Sequence, residues 1–174
     1  MIPVKSSACI VDSPICGGYQ EGMFNIVLME PEIPHNAGAA GRLALATGSA
    51  LHLVKPLGFS LDDKYVKRTG LDYWQDVDLH VWENFGDLAE EMQGKGKWLL
   101  STKAGKSHWE ARFSPGDFLI FGKETRGLPE DMIGDAGEGA LKIPMKPGGT
   151  RSLNLSTAVA IVLYEALRQQ SPDW

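Results

Sequence analysis

Phe118-Leu119-Ile120-Phe121-Gly122-Lys123-Glu124-Thr125-Arg126-Gly127-Leu128-Pro129 is the stretch on which the fold turns. Its first four residues make an unbroken apolar run, the pattern of a short strand buried on both faces. The chain then switches within one residue to glycine, charge and hydroxyl. Two glycines bracketing a polar run point to a tight path where backbone approaches a ligand. A plain turn into a helix begun at Pro129 accounts for Gly127 and Pro129, but it leaves Glu124 without a purpose.

Outward from this stretch the same alternation recurs. Strands are expected over residues 24–29, 51–54, 79–82, 98–101 and 140–143, with 118–121 fifth in chain order. Helices are expected over residues 37–47, stopped by Gly48, and over 62–69, 85–92 and 153–169. Apolar strands separated by helical stretches specify an α/β fold, a parallel sheet with helices on both faces. The last helix is apolar nearly all round from Ala158 to Leu163. That is too apolar for a monomer's surface, so the helix is either buried internally or a dimer contact.

The 174 residues are 43% apolar and 22% charged, enough for one domain with a real core. Regular patterning covers residues 23–174. Residues 1–22 are irregular, with Pro3, Pro14 and Gly17-Gly18, and read as an extension upstream of Met23. No apolar run approaches the roughly 18 residues of a membrane span. Cys9 and Cys16 cannot build a disulfide scaffold, which fits a cytoplasmic chain, and their spacing is wrong for zinc. His35, His52, His80 and His108 show no ligand spacing, so no metal is expected. A net charge of −5 argues against a polyanionic partner, yet the charge is uneven. Residues 95–151 hold ten basic and seven acidic residues, against seven and fifteen elsewhere. Local potential, more than the total, governs attraction of a polyanion.

Several nucleotide and hydrolase signatures are absent. Gly105-Lys106-Ser107 imitates the end of a phosphate-binding loop, but Leu100 stands where that loop needs its first glycine. No Gly-x-Gly-x-x-Gly follows the first strand, and there is no Gly-x-Ser-x-Gly elbow. Two further segments do carry polar, glycine-marked chemistry after a strand. In Pro34-His35-Asn36-Ala37-Gly38-Ala39-Ala40-Gly41-Arg42, Asn36 suits a helix N-cap, and Arg42 projects from a helix of small residues. In Pro144 to Ser156, a loop feeds a helix whose first turn offers Ser152, Asn154 and free backbone N–H groups, either as plain caps or as a ligand site. In a parallel sheet all three segments gather at one edge, where such folds bind ligands.

In order and spacing these segments closely resemble the three motifs of the SPOUT superfamily of RNA methyltransferases. The similarity is to its tRNA ribose 2′-O-methyltransferases, in particular the single-domain branch acting on the wobble nucleotide. It runs from about residue 23 to the C-terminus and includes Gly58-Phe59, Asp62-Asp63-Lys64 and Gly70-Leu71-Asp72-Tyr73. One departure is Ala39-Ala40-Gly41, where relatives carry polar and bulky residues. The resemblance implies a C-terminal third threaded into a deep trefoil knot. It also implies a homodimer formed through the last helix, and S-adenosylmethionine bound by Leu100, Gly122, Ile143, Ser152, Leu153 and Asn154.

The activity implied is methylation of the ribose 2′-hydroxyl of cytidine or uridine at the wobble position of the tRNA anticodon stem-loop. Arg42 falls at the family's catalytic arginine. Always protonated, it is no base, so it is expected to hold phosphate and polarise the hydroxyl. Asn36 is expected to orient Arg42 or the ribose, and Glu124 to anchor Arg42 or its own loop. Lys64, Lys67, Arg68, Lys103 and Arg126 are candidate RNA-backbone contacts. The alternatives are a knotted RNA-binding relative without catalysis, a 2′-O-methyltransferase acting at another tRNA or rRNA position, and a flavodoxin-type nucleotide-binding protein.

Overall fold

The computed structural model describes residues 23–61 and 72–170. The extension 1–22, the expected helix over 62–69, and Lys64, Lys67 and Arg68 lie outside the described residues. Seven strands form one sheet: β1 (Asn25–Met29), β2 (Ala50–Val54), β3 (Leu79–Trp82), β4 (Lys97–Leu100), β5 (Lys106–Ser107), β6 (Phe118–Phe121) and β7 (Ala140–Lys142). The helices are α1 (Pro34–Thr47), α2 (Phe85–Glu91), α3 (Glu130–Ala136) and α4 (Leu155–Gln170). Strand order is β3-β2-β1-β6-β4-β7-β5, and every pairing is parallel.

Period-two alternation sends successive side chains of each strand to opposite faces. Ile26, Leu28, Leu51, Leu53, Leu119 and Phe121 meet α1 and α4 on one face. Val27, Met29, Val54, Leu99, Phe118 and Ile120 meet α2 and α3 on the other. Both faces are therefore covered, which is why the strands read as continuous apolar runs. One polar group sits among them. The buried His52 ring accepts from the Trp82 indole at Nδ1 (3.1 Å), so its proton is on Nε2, 3.1 Å from Asn25 Oδ1. Burial, with the neighbouring His80, pushes its pKa down to about 3, and the imidazole stays neutral.

Helix α1 begins at Pro34, three residues before its expected start. Pro is preorganised for the first helical position, and Ile33 takes the N-cap. Asn36 is thus not a cap but lies inside the first turn, only 2% exposed. The departure at residues 39–41 serves packing. Ala40, Gly41 and Ala44 are buried, and a Cβ on Gly41 would stand 2.6 Å from the Trp74 ring. In α4, Leu155, Val159, Val162, Leu163, Ala166 and Leu167 are buried, leaving Tyr164 on the outer side, 49% exposed. The internal burial expected of this helix is therefore present along one stripe.

Candidate active site

Strands β1, β6, β4 and β7 are neighbours, and their carboxyl ends feed the loops that matter. From β1 the chain runs outward to β2 and β3. It then crosses back to β4, leaving β6 to fill the gap beside β1. Such a reversal opens a crevice at the carboxyl edge of the sheet. A cavity of about 580 Å³ lies there. Leu100, Gly122, Ile143, Ser152, Leu153 and Asn154 all line it, as do Asn36, Glu124, Lys103 and Arg126.

One carboxylate joins two of the three loops, and a side-chain amide extends the link to the third. Glu124 Oε1 accepts from Asn36 Nδ2 (2.8 Å) and from the Ile33 amide (3.2 Å), and Oε2 accepts from the Glu32 amide (2.8 Å). Asn36 Oδ1 in turn accepts from Asn154 Nδ2 at 3.0 Å. Asn154 Oδ1 caps α4 by accepting from the amides of Ser156 (2.9 Å) and Thr157 (3.3 Å). Capping and site-building therefore coincide in Asn154. Partial burial alone would raise the Glu124 carboxyl. Hydrogen bonds from Asn36 and from backbone amides, those of Glu32 and Ile33 among them, outweigh it and hold Glu124 below the usual carboxylate range.

The residues flanking Glu124 add to the lock. Lys123 Nζ lies 2.5 Å from Glu30 Oε2, and the Thr125 hydroxyl donates to Glu32 Oε1 (3.0 Å). Glu30 itself has φ 48°, an unfavourable left-handed conformation for a residue with a side chain. Its amide donates to the Val54 carbonyl at 2.9 Å while its carboxylate meets Lys123. Gly122 makes the return path possible: an added Cβ would stand 2.1 Å from the Gly127 carbonyl carbon and 2.2 Å from the Leu128 nitrogen. The contributions of Glu30 and Glu32 were not expected from sequence. The available signal was charge complementarity between two strand-end loops.

Arg42 departs from expectation. It is exposed and does not line the cavity of its own chain. Among the described residues neither Glu124 nor Asn36 bonds to it. Its Cζ instead lies 4.6 Å from the centroid of the Tyr73 ring. The geometry leaves Glu124 anchoring the β1–α1 loop, not Arg42. Lys103 is already paired with Glu130, on exposed surface, whereas Arg126 is exposed with no hydrogen-bond partner among the described residues. Among these residues no group of three or more His, Cys, Asp or Glu side chains is placed to hold a metal ion. Nor is any helix among them long and apolar enough to cross a membrane.

The SpoU rRNA methylase family model matches residues 23–164. The chain belongs to this family. The family match begins at Met23, where the regular patterning begins, and the motifs tied together through Glu124, Asn36 and Asn154 fall within it. A tRNA (cytidine(34)-2′-O)-methyltransferase from Methylovorus glucosotrophus (strain SIP3-4) is 48% identical over 148 residues, 84% of this chain and 96% of that protein. One of the same name from Saccharophagus degradans (strain 2-40) is 48% identical over 150 residues, with the same coverage. A solved structure described as giving insights into 2-OH methylation of C/U34 on tRNA superposes with a TM-score of 0.80 at 47% identity, covering 87% of this chain and 98% of that one. An AdoMet-bound rRNA methyltransferase from Sinorhizobium meliloti superposes at 0.72 with 25% identity, covering 86% of this chain and 57% of that one.

Proposed function

We propose that this SpoU-family chain is an S-adenosylmethionine-dependent methyltransferase acting on the ribose 2′-hydroxyl of cytidine or uridine 34 in the tRNA anticodon. The observation that carries the reading is the junction of the three motif loops, through Glu124, Asn36 and Asn154, around one cavity at the carboxyl edge of the sheet. Relatives named for this activity match the chain over nearly their whole length, which supports position 34 over another tRNA or rRNA site.

The cavity fits the methyl donor. Its lining combines apolar walls from Leu100, Ile143 and Leu153 with a stretch of bare backbone at Gly122, where even a methyl group would collide with Gly127. A flat base and a polar tail need that mixture of apolar surface and backbone hydrogen-bonding groups. S-adenosylmethionine bound there supplies a methyl group already activated on sulfonium. The chain's own residues must then position the RNA and help its hydroxyl lose a proton. Glu124 holds the second motif against the first, and Asn36 holds the first against the third. Arg42, permanently cationic, grips the phosphate beside the target ribose and polarises the hydroxyl, and a phosphate oxygen or water accepts the proton.

The working unit in this reading is a homodimer formed through α4, in the cytoplasm, with the C-terminal third knotted. Tyr164 and Leu45, 49% and 41% exposed on two helices that pack on each other, support the dimer. Arg42, on the same pair of helices and outside its own chain's cavity, serves the pocket of the partner subunit. Residues 23–174 form the single catalytic domain, and residues 1–22 are an extension outside the family match. Lys64, Lys67, Arg68, Lys103 and Arg126 are assigned to the RNA backbone.

The test is incubation with labelled S-adenosylmethionine and total tRNA, followed by mapping of the labelled nucleotide. Label on the 2′-oxygen of residue 34 is expected. Arg42→Ala should abolish transfer while leaving donor binding intact. Cofactor binding without transfer would favour the non-catalytic relative, and near-normal turnover by Arg42→Ala would remove its assigned role.

A further inference from the structure

The segment Gly70-Leu71-Asp72-Tyr73 has no part in the site as built so far. Its last residue lies in a 3-10 turn, Asp72–Asp76, that rests on α1. Two contacts fix the turn there. The Tyr73 hydroxyl donates to the Gly38 carbonyl at 2.8 Å, and the Trp74 ring fills the space beside Gly41. Both glycines belong to the small-residue strip of α1, one helical turn apart. Beside that strip, Arg42 Cζ stands over the Tyr73 ring at 4.6 Å from its centroid.

A guanidinium held on an aromatic face is attracted through the ring quadrupole, while its N–H donors lie around its edge. No hydrogen bond or ion pair consumes those donors among the described residues. The contact thus restrains a long, rotamer-rich side chain and leaves its binding edge open. We infer that Tyr73 is a positioning residue for Arg42, holding the guanidinium by its face so that its edge can meet the RNA phosphate and ribose. The inference rests on the role given to Arg42 above. Tyr73 is tied to α1 by its own hydroxyl, so ring and arginine keep one geometry relative to the helix, and less conformational freedom is lost when RNA binds.

The experiment compares wild type, Tyr73→Leu, Tyr73→Phe, Arg42→Ala and the Tyr73→Leu/Arg42→Ala double variant. It reads single-turnover methylation, affinity for an anticodon stem-loop RNA, and affinity for S-adenosylhomocysteine as a check on the folded pocket. Tyr73→Leu should lower the rate by about 3- to 30-fold and weaken RNA binding, with S-adenosylhomocysteine affinity unchanged. Tyr73→Phe, which keeps the ring, should recover most of the loss. In the Arg42→Ala background Tyr73→Leu should weaken RNA binding no further, because the two residues act as one unit. Additive losses in the double variant, a matching loss of S-adenosylhomocysteine affinity, or wild-type behaviour of Tyr73→Leu beside an impaired Arg42→Ala would overturn the positioning role alone. Wild-type behaviour of Arg42→Ala would overturn this role and the assignment of Arg42 together.

Discussion

Glu124 shows how one side chain in the wall of a cavity can also hold that wall together. Its two oxygens accept three hydrogen bonds, and all three donors belong to the 32–36 segment. Replacing the carboxylate by an amide turns one acceptor into a donor facing donors. Glu124→Gln should therefore cost on the order of 1–3 kcal/mol of stability at neutral pH and weaken donor binding. The sign with pH follows from the lowered pKa. Stability from the ionised form is present above the ordinary value of 4.5 and is lost as pH falls through the depressed one. Urea unfolding of wild type and variant should show a clear gap at pH 7 that narrows in acid; a gap independent of pH would count against the carboxylate as the anchor. The importance of Glu124 was legible because no turn requirement explains an acid there. Its partners were not, since nothing local in sequence says that Glu32 and Asn36 lie across from residue 124.

Strands and helices followed from pattern wherever apolar runs were long enough to bury both faces. β6 falls on the expected residues, and β2, β4 and β7 lie within a residue or so of theirs. The two-residue β5 has no such run, only Lys106 and Ser107 paired with β7 at the sheet edge, so hydrophobic periodicity is silent there. Asn36 misled for a related reason: its residue type suits a cap, but Pro34 starts the helix first and turns the amide inward. Between β6 and α3, loop geometry is set by close backbone approach at Gly122. Gly122→Ala should destabilise by roughly 1–3 kcal/mol and abolish donor binding, because the collision is with main chain that has nowhere to yield. Calorimetric titration with S-adenosylhomocysteine together with thermal unfolding checks this; unimpaired binding would show that the loop can open.

For the molecule as a whole, the family and the all-parallel sheet were readable, while the charge total was a poor guide. The basic excess lies in residues 95–151, and four of its basic side chains, Lys103, Lys123, Arg126 and Arg151, line the cavity. Dimerisation has a direct test at this scale. Tyr164→Asp places a charge on the exposed side of α4 and should yield monomers in sedimentation velocity, with methyl transfer lost and the monomer still folded. A dimer that persists would move the interface elsewhere. The Asn36–Asn154 hydrogen bond has a different consequence. It joins residues 118 positions apart, so the pocket has no third wall until nearly the whole chain has been made and α4 has docked. Ribosomes add roughly 5–20 residues per second, and contacts of such long range are slow to form. A nascent chain still lacking α4 therefore cannot close this pocket, and methyl-donor binding reports the docking of α4 as much as the chemistry.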